Sequence, residues 1–291
     1  MASLKAIRRR IASVKSTQQI TRAMKLVAAA RLRRAQEALH AARPYSQALA
    51  RVADSLLTSE GVNIAPPEGA RKAALITVIG SDRGQCGGYN TNLLRVAEQS
   101  LHATEREGLG GGYFAVGKKV VDHFRRTKAP MIAQIQDNLP KLATIGLARK
   151  IAARMLSDYQ SGAICEAAIV YTQFKSAISQ RPVYERLLPV AKPESGSKDP
   201  NAQPIDYLVE PSRAELVPVV LRSYLEAAVF NALLQAEASE QGARMTAMDS
   251  ATNNAIEMIG TYTLEMNRAR QAQITRELMD IVGGAEALRG E

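Results

Sequence analysis

The 291-residue chain has no tryptophan, and aromatic residues make up only 4% of it. So small an aromatic share is low for a globular enzyme and normal for long helices. Only two cysteines are present, Cys86 and Cys165, 79 positions apart. They lack metal-ligand spacing, and so small a number reads as two reduced thiols in a cytoplasmic-type compartment. No uninterrupted apolar run approaches the roughly 18 residues of a membrane span, and no apolar signal core opens the chain. The Arg-rich, acid-poor start imitates a mitochondrial transit peptide, but its continuous apolar seam argues for mature structure. Acids are scarce in one place. Residues 1–57 hold twelve Lys and Arg against Glu37 and Asp54, while the remaining chain carries 26 bases and 26 acids. The whole net charge of +10 therefore lies on the N-terminal segment. Such a cationic segment implies an anionic partner: nucleic acid, lipid headgroups or acidic protein loops.

What is present is helical periodicity at both ends. From Leu4 to Leu56 a 3–4 spacing runs through sixteen positions, twelve of them apolar, which predicts one long helix over residues 1–57. Pro44 should bend or break it. The departures Gln18, Thr21 and Lys25 fall together, and around them the apolar residues shift sideways to Ile20, Met24, Leu26 and Val27. That displacement points to a second contact surface, a change of supercoil or a local stutter. From Val219 onward no proline interrupts the chain. Its seam steps through Ala238, Gln241, Met245, Met248, Thr252, Ala255, Ile259, Tyr262, Met266 and Ala269. A 3.5-residue repeat is the pattern of a left-handed coiled coil. A helix of roughly 70 residues and about 105 Å needs a partner, and the N-terminal helix supplies one, running antiparallel.

Between the ends the period changes. Ala73–Ile79, Tyr113–Val116, Met131–Ile135, Ile164–Phe174 and Pro182–Val190 read as strands. Thr91–Arg106, Lys118–Arg126 and Pro140–Tyr159 read as helices, and Gly108–Gly112 as a glycine turn. This alternation predicts a mostly parallel five-stranded sheet covered by helices. The fold class is α/β, Rossmann-like, flanked by a long antiparallel coiled coil. Its domains are an N-terminal coiled-coil helix (1–60), the α/β domain (70–195) and a C-terminal coiled-coil helix (210–291). Residues 61–69 read as a linker, and the polar, Pro-rich stretch 192–204 as a loop.

Two stretches imitate chemistry. Gly112, Gly117 and Lys118 fit a phosphate-loop pattern as far as the lysine. Lys119 then stands where the magnesium-binding hydroxyl belongs, and the intervening residues are strand-like. The loop SDRGQCGGYN, Ser81–Asn90, ends a strand before a helix, where α/β sheets place ligand sites. Ser81, Asp82, Arg83 and Cys86 suggest a catalytic set, but no histidine is near in sequence to activate a nucleophile. The plainer reading is a glycine turn in which Asp82 and Arg83 pair or cap the following helix. For the basic segment, residues 1–44 contain no aromatic side chain to stack on bases. Its cations also flank a seam instead of forming a separate basic region. Both features favour an acidic protein partner or a solvated charged face over nucleic acid. At the other end Ile274, Leu278, Ile281, Val282, Ala285 and Leu288 make a broad apolar tip. They suit either simple fraying or insertion into a collar made by other chains.

Three ordered motifs carry a family resemblance. QQITRAMKLVAAARLRRA (18–35), SDRGQCGGYN (81–90, with Gln85 where leucine is expected) and ITRELMDIVGGAEA (274–287) closely resemble the gamma subunit of F-type ATP synthases. ASEQGARMTAM (238–248) also fits. The resemblance implies a non-catalytic rotor shaft that passes through a hexamer of alpha and beta subunits. Its α/β domain would sit with an epsilon subunit on the membrane c-ring. It implies no catalytic, cofactor or metal site in this chain, with ATP, ADP and magnesium bound by alpha and beta. It implies no nucleic-acid partner, and membrane association only through the c-ring. By position, Met24, Lys25, Arg270, Gln271, Thr275 and Glu277 match contacts to the alpha/beta collar, and Tyr207 matches the region facing the c-ring and epsilon. The expected location is the cytoplasmic face of a bacterial inner membrane, the alternative being the matrix face of the mitochondrial one. Nothing resembles the paired-cysteine insertion of the chloroplast form.

Overall fold

The computed structural model describes residues 4–57, 64–136, 143–190, 209–210 and 212–287. The elements in chain order are α1 (Leu4–Leu57), β1 (Ala73–Ile79), α2 (Tyr89–Arg106), β2 (Gly110–Val116), α3 (Lys118–Thr127), β3 (Met131–Ile135), α4 (Ile145–Gln160), β4 (Glu166–Phe174), β5 (Gln180–Leu188) and α5 (Arg213–Ala287). They form two compact units, one of Ala28–Arg244 and one of Met1–Val27 with Met245–Glu291.

The larger unit is built on a five-stranded sheet of order β3-β2-β1-β4-β5. β1 runs parallel to β2 and β4, and β2 parallel to β3, while β5 is antiparallel to β4. Strand alternation divides the apolar side chains between two cores. On one face Leu75, Ile79, Phe114 and Ile169 pack with Leu147, Ile151 and Met155 of α4 and with Leu221, Leu225, Val229 and Leu233 of α5. On the other face Ile76, Val78, Tyr113 and Val170 pack with Leu93 and Ala97 of α2 and Val120 and Phe124 of α3. The Tyr113 and Phe124 rings stack at 4.0 Å. This is the expected α/β sheet, with one addition: the first third of the C-terminal helix is itself a covering layer.

Four local expectations need correction. Of the bend or break expected at Pro44 the break is absent, since α1 runs through it; the loss of one backbone donor is outweighed by the helical residues on both sides. Pro211 and Pro218 suggest a helix that begins after both, yet α5 starts at Arg213, ahead of Pro218. The Ser212 hydroxyl accepts from the Glu215 N–H at 3.4 Å and donates to its carboxylate at 3.0 Å, and this cap starts the helix before the proline is reached. Gly110–Gly112 are strand and not turn, because they pair with Ala73–Leu75 of β1. α4 starts at Ile145, where the Thr144 hydroxyl caps the Leu147 N–H. Apart from these, α5 includes a stretch long and apolar enough to cross a membrane by length and composition. The buried Leu221, Leu225, Val229 and Leu233 take part of that apolarity into the first core.

Candidate functional site

In the smaller unit α1 and α5 meet along the predicted seams. Ile7, Thr21, Met248, Thr252 and Ala255 are buried, and Leu4, Ile11, Val14, Gln18, Ile259, Tyr262, Met266 and Ala269 are half-buried. The Thr252 hydroxyl lies 2.8 Å from the Thr21 hydroxyl, and the Lys25 ammonium 2.6 Å from the Asp249 carboxylate. Partner numbers fall as α1 numbers rise, so the helices are antiparallel. Counting back seventeen residues from Thr21 reaches Leu4, and counting forward seventeen from Thr252 reaches Ala269. Ala269 is also the last half-buried position. Every residue from Arg270 to Gly283 is exposed, as expected of a helix that has outrun its described partner.

The polar insert at Gln18, Thr21 and Lys25 does not turn the seam aside. Those three stay inward, and the displaced apolar residues form a second face. Ile20, Leu26 and Val27 are 57%, 65% and 53% exposed. On α5, Ile256, Met258, Leu264, Ile274, Leu278, Met279, Ile281 and Val282 are exposed as well. Apolar side chains repeatedly left in water along a helix are typical of interaction surfaces.

In the larger unit the Ser81–Asn90 loop is closed by its own side chains. The Ser81 hydroxyl donates to the Arg83 carbonyl at 2.7 Å and accepts from the Asn90 amide at 2.8 Å. Asp82 accepts the Lys118 N–H at 2.9 Å, and the Ser81 carbonyl accepts the Lys119 N–H at 3.0 Å. Asp82 thus caps α3 and not the helix that follows the loop. The Gly117 N–H goes to Ile135. These donors are thus already used within the chain, and Gly112–Val116 is sheet. Burial pushes the Cys86 thiol above its ordinary range, with Glu240 adding to this and Arg244 opposing it. A protonated thiol is a poor nucleophile. Among the described residues no group of three or more His, Cys, Asp or Glu is arranged to hold a metal ion.

A family profile described as ATP synthase matches residues 3–288. The ATP synthase gamma chain of Moorella thermoacetica is 46% identical over 293 residues, covering 99% of this chain and 100% of the relative. That of Desulfitobacterium hafniense is 45% identical over 290 residues, with 99% and 100% covered. The chain belongs to the ATP synthase gamma chain family. In fold it is also similar to a chain of the Euglena gracilis mitochondrial ATP synthase, solved with OSCP, F1 and c-ring in rotational state 3. There the TM-score is 0.70 at 20% identity, over 99% of this chain and 95% of the other.

Against that family the six described positions expected at a collar fall in two places. Met24 and Lys25 sit half-buried on α1, with the Lys25 charge already engaged by Asp249. Arg270, Gln271, Thr275 and Glu277 are exposed on the unpaired part of α5, where Glu277 accepts a 2.9 Å hydrogen bond from Gln273. Tyr207 lies outside the described residues. Sequence reading of this gamma chain missed Asp249 as the partner of Lys25, and Ile256, Met258 and Leu264 as exposed. All lie off the 3–4 seam, and only the antiparallel register gives them a place.

Proposed function

We propose that this gamma chain is the central rotor shaft of an F-type ATP synthase. It couples ion-driven rotation of the c-ring to ATP synthesis, or hydrolysis to pumping, in a surrounding alpha/beta hexamer. The observation that carries this reading is the end of α5. From Arg270 it has no described partner helix, yet Ile274, Leu278, Ile281 and Val282 stay in water. A collar of other subunits gives those side chains a dry surface, and Arg270, Gln271, Thr275 and Glu277 supply the polar contacts around it. The N-terminal excess of cations suits acidic loops on the alpha/beta side, and nucleic acid is no partner. Epsilon and the c-ring complete the assembly, and the c-ring supplies its membrane attachment.

In this reading the chain has no catalytic site, and nucleotide and magnesium belong to alpha and beta. The closed Ser81–Asn90 loop, the occupied α3 start and the buried Cys86 thiol support that assignment. Sequence identity to bacterial gamma chains of 45–46% supports the cytoplasmic face of a bacterial membrane.

Two experiments test this. The tagged chain is extracted from its native membranes in mild detergent and weighed intact. A large complex with nucleotide-binding subunits in threefold excess over one copy of this chain is the expected result, and a free monomer or homodimer overturns the reading. In that complex Arg270→Ala with Gln271→Ala should lower ATP synthesis while leaving the α/β fold intact. Unchanged synthesis removes both residues from the coupling path.

A further inference from the structure

In an open parallel sheet the ligand crevice lies beyond the carboxyl ends of the two strands between which the winding reverses. Here those strands are β1 and β4. Their following loops, 80–88 and 175–179, are where a dinucleotide or similar ligand would rest. Instead they face residues 235–244 of α5, all within the larger unit.

The contacts come from both sides of the crevice. On the β1 side the Arg244 guanidinium donates to the Arg83 carbonyl at 3.4 Å and the Gly84 carbonyl at 3.3 Å. Its other terminal nitrogen is 2.7 Å from Glu240, and the two side chains are only 9% and 11% exposed. The Tyr89 hydroxyl reaches the Ala236 carbonyl at 3.3 Å. On the β4 side the Ser239 hydroxyl donates to the Thr172 carbonyl at 2.9 Å, and Gln235 accepts the Phe174 N–H at 3.2 Å. A Cβ built on Gly242 would stand 3.5 Å from the Ala177 Cα.

We propose that Arg244, held by Glu240, is a positioning residue that keys α5 into this crevice and makes it the joint through which torque passes between α5 and the sheet. Apolar contacts such as those of Leu225 and Val229 hold α5 against the sheet but are non-directional. Charge-assisted hydrogen bonds off that axis fix the angle. A buried ion pair contributes little net stability, so a positional role accounts for it better than a stabilising one. The inference rests on the rotor reading above.

The test uses the complete membrane complex carrying Arg244→Met, Arg244→Lys, or Arg244→Met with Gly242→Cys and Ala177→Cys. The pair is chosen because a Cβ on residue 242 would stand 3.5 Å from the Ala177 Cα, and it is closed with diamide and opened with dithiothreitol. Expected for Arg244→Met is ATP hydrolysis near wild type in the detached soluble sector, with ATP-driven proton pumping per ATP lower by at least about threefold in the membrane complex. The lysine variant keeps the charge but not the fork, and falls between. Closing the disulfide restores pumping and opening it removes the gain, a response that general misfolding does not give. Pumping by Arg244→Met equal to wild type, or equal loss with the disulfide open and closed, overturns the joint. A wild-type complex that hydrolyses ATP without pumping overturns the rotor reading instead.

Discussion

Gly117 marks the tightest backbone approach in the sheet unit, and its replacement by alanine separates strain from contact. Its φ of 97° and ψ of 140° lie where side chains are all but excluded, a cost of about 1–3 kcal/mol. A Cβ there would also stand 2.5 Å from the Gly80 carbonyl oxygen, so backbone must move, adding about 1–3 kcal/mol. Moving Gly80 drags Ser81, whose carbonyl holds the Lys119 N–H at 3.0 Å. Together these predict a loss of about 2–6 kcal/mol. Gly108 is the control. Its φ is +79° and nothing lies within 4 Å of the added carbon. Gly108→Ala should therefore cost only about 1 kcal/mol of left-handed strain, partly offset by a stiffer unfolded chain. The assay is urea unfolding followed by tyrosine emission, unmasked because the chain has no tryptophan. Apart from Tyr262 the described tyrosines belong to the larger unit. A Gly117→Ala midpoint no lower than that of Gly108→Ala would refute the close-approach argument.

A double-mutant cycle on Lys25 and Asp249, both to alanine, should give a coupling under about 1 kcal/mol despite the 2.6 Å separation. The side chains are 39% and 47% exposed, so the coupling should also shrink as salt is added; a large salt-independent value would show the pair to be dry. Thr21→Val with Thr252→Val should leave thermal stability nearly unchanged, since both partners of one buried bond become apolar together; a large loss in the double variant would contradict this. Burial pushes the Tyr159 phenol up to about 12 from 10.0, so the folded form keeps a proton that the unfolded chain releases. Its stabilisation should be whole below pH 10 and lost as pH rises towards 12. Urea midpoints in Tyr159→Phe, which also lacks the 2.7 Å bond to the Ile64 carbonyl, should show a shallower alkaline fall than wild type.

Much of the fold is legible because its signals are one-dimensional. Each of the sixteen seam positions on α1 is buried or half-buried, since a 3.5-residue period specifies a face without reference to the partner. The strands Ala73–Ile79 and Met131–Ile135 have the boundaries their composition suggests. Errors arose where a local rule met a non-local contact. Gly110–Gly112 are poor strand formers by propensity, yet pairing with β1 draws them into the sheet. The phosphate-loop likeness at Gly112–Lys118 fails for reasons partly visible in sequence, a lysine where a hydroxyl belongs. In the structure the Gly117, Lys118 and Lys119 N–H groups are taken up by Ile135, Asp82 and Ser81.

By itself the sequence established the order of helix, α/β sheet and helix, the inward faces of both long helices, and a family likeness residing in three motifs. Periodicity and motif spacing are properties of neighbours in the chain, so they survive without coordinates. Only tertiary structure decided that Lys25 is paired with Asp249, that α5 outruns described α1 at Ala269, and that Arg244 occupies the crevice of the sheet. Arg244 and Arg83 are separated by 161 positions, and no local pattern in either segment specifies where the other will be. Their meeting is set by how α5 packs on the sheet, which is a property of the assembled core.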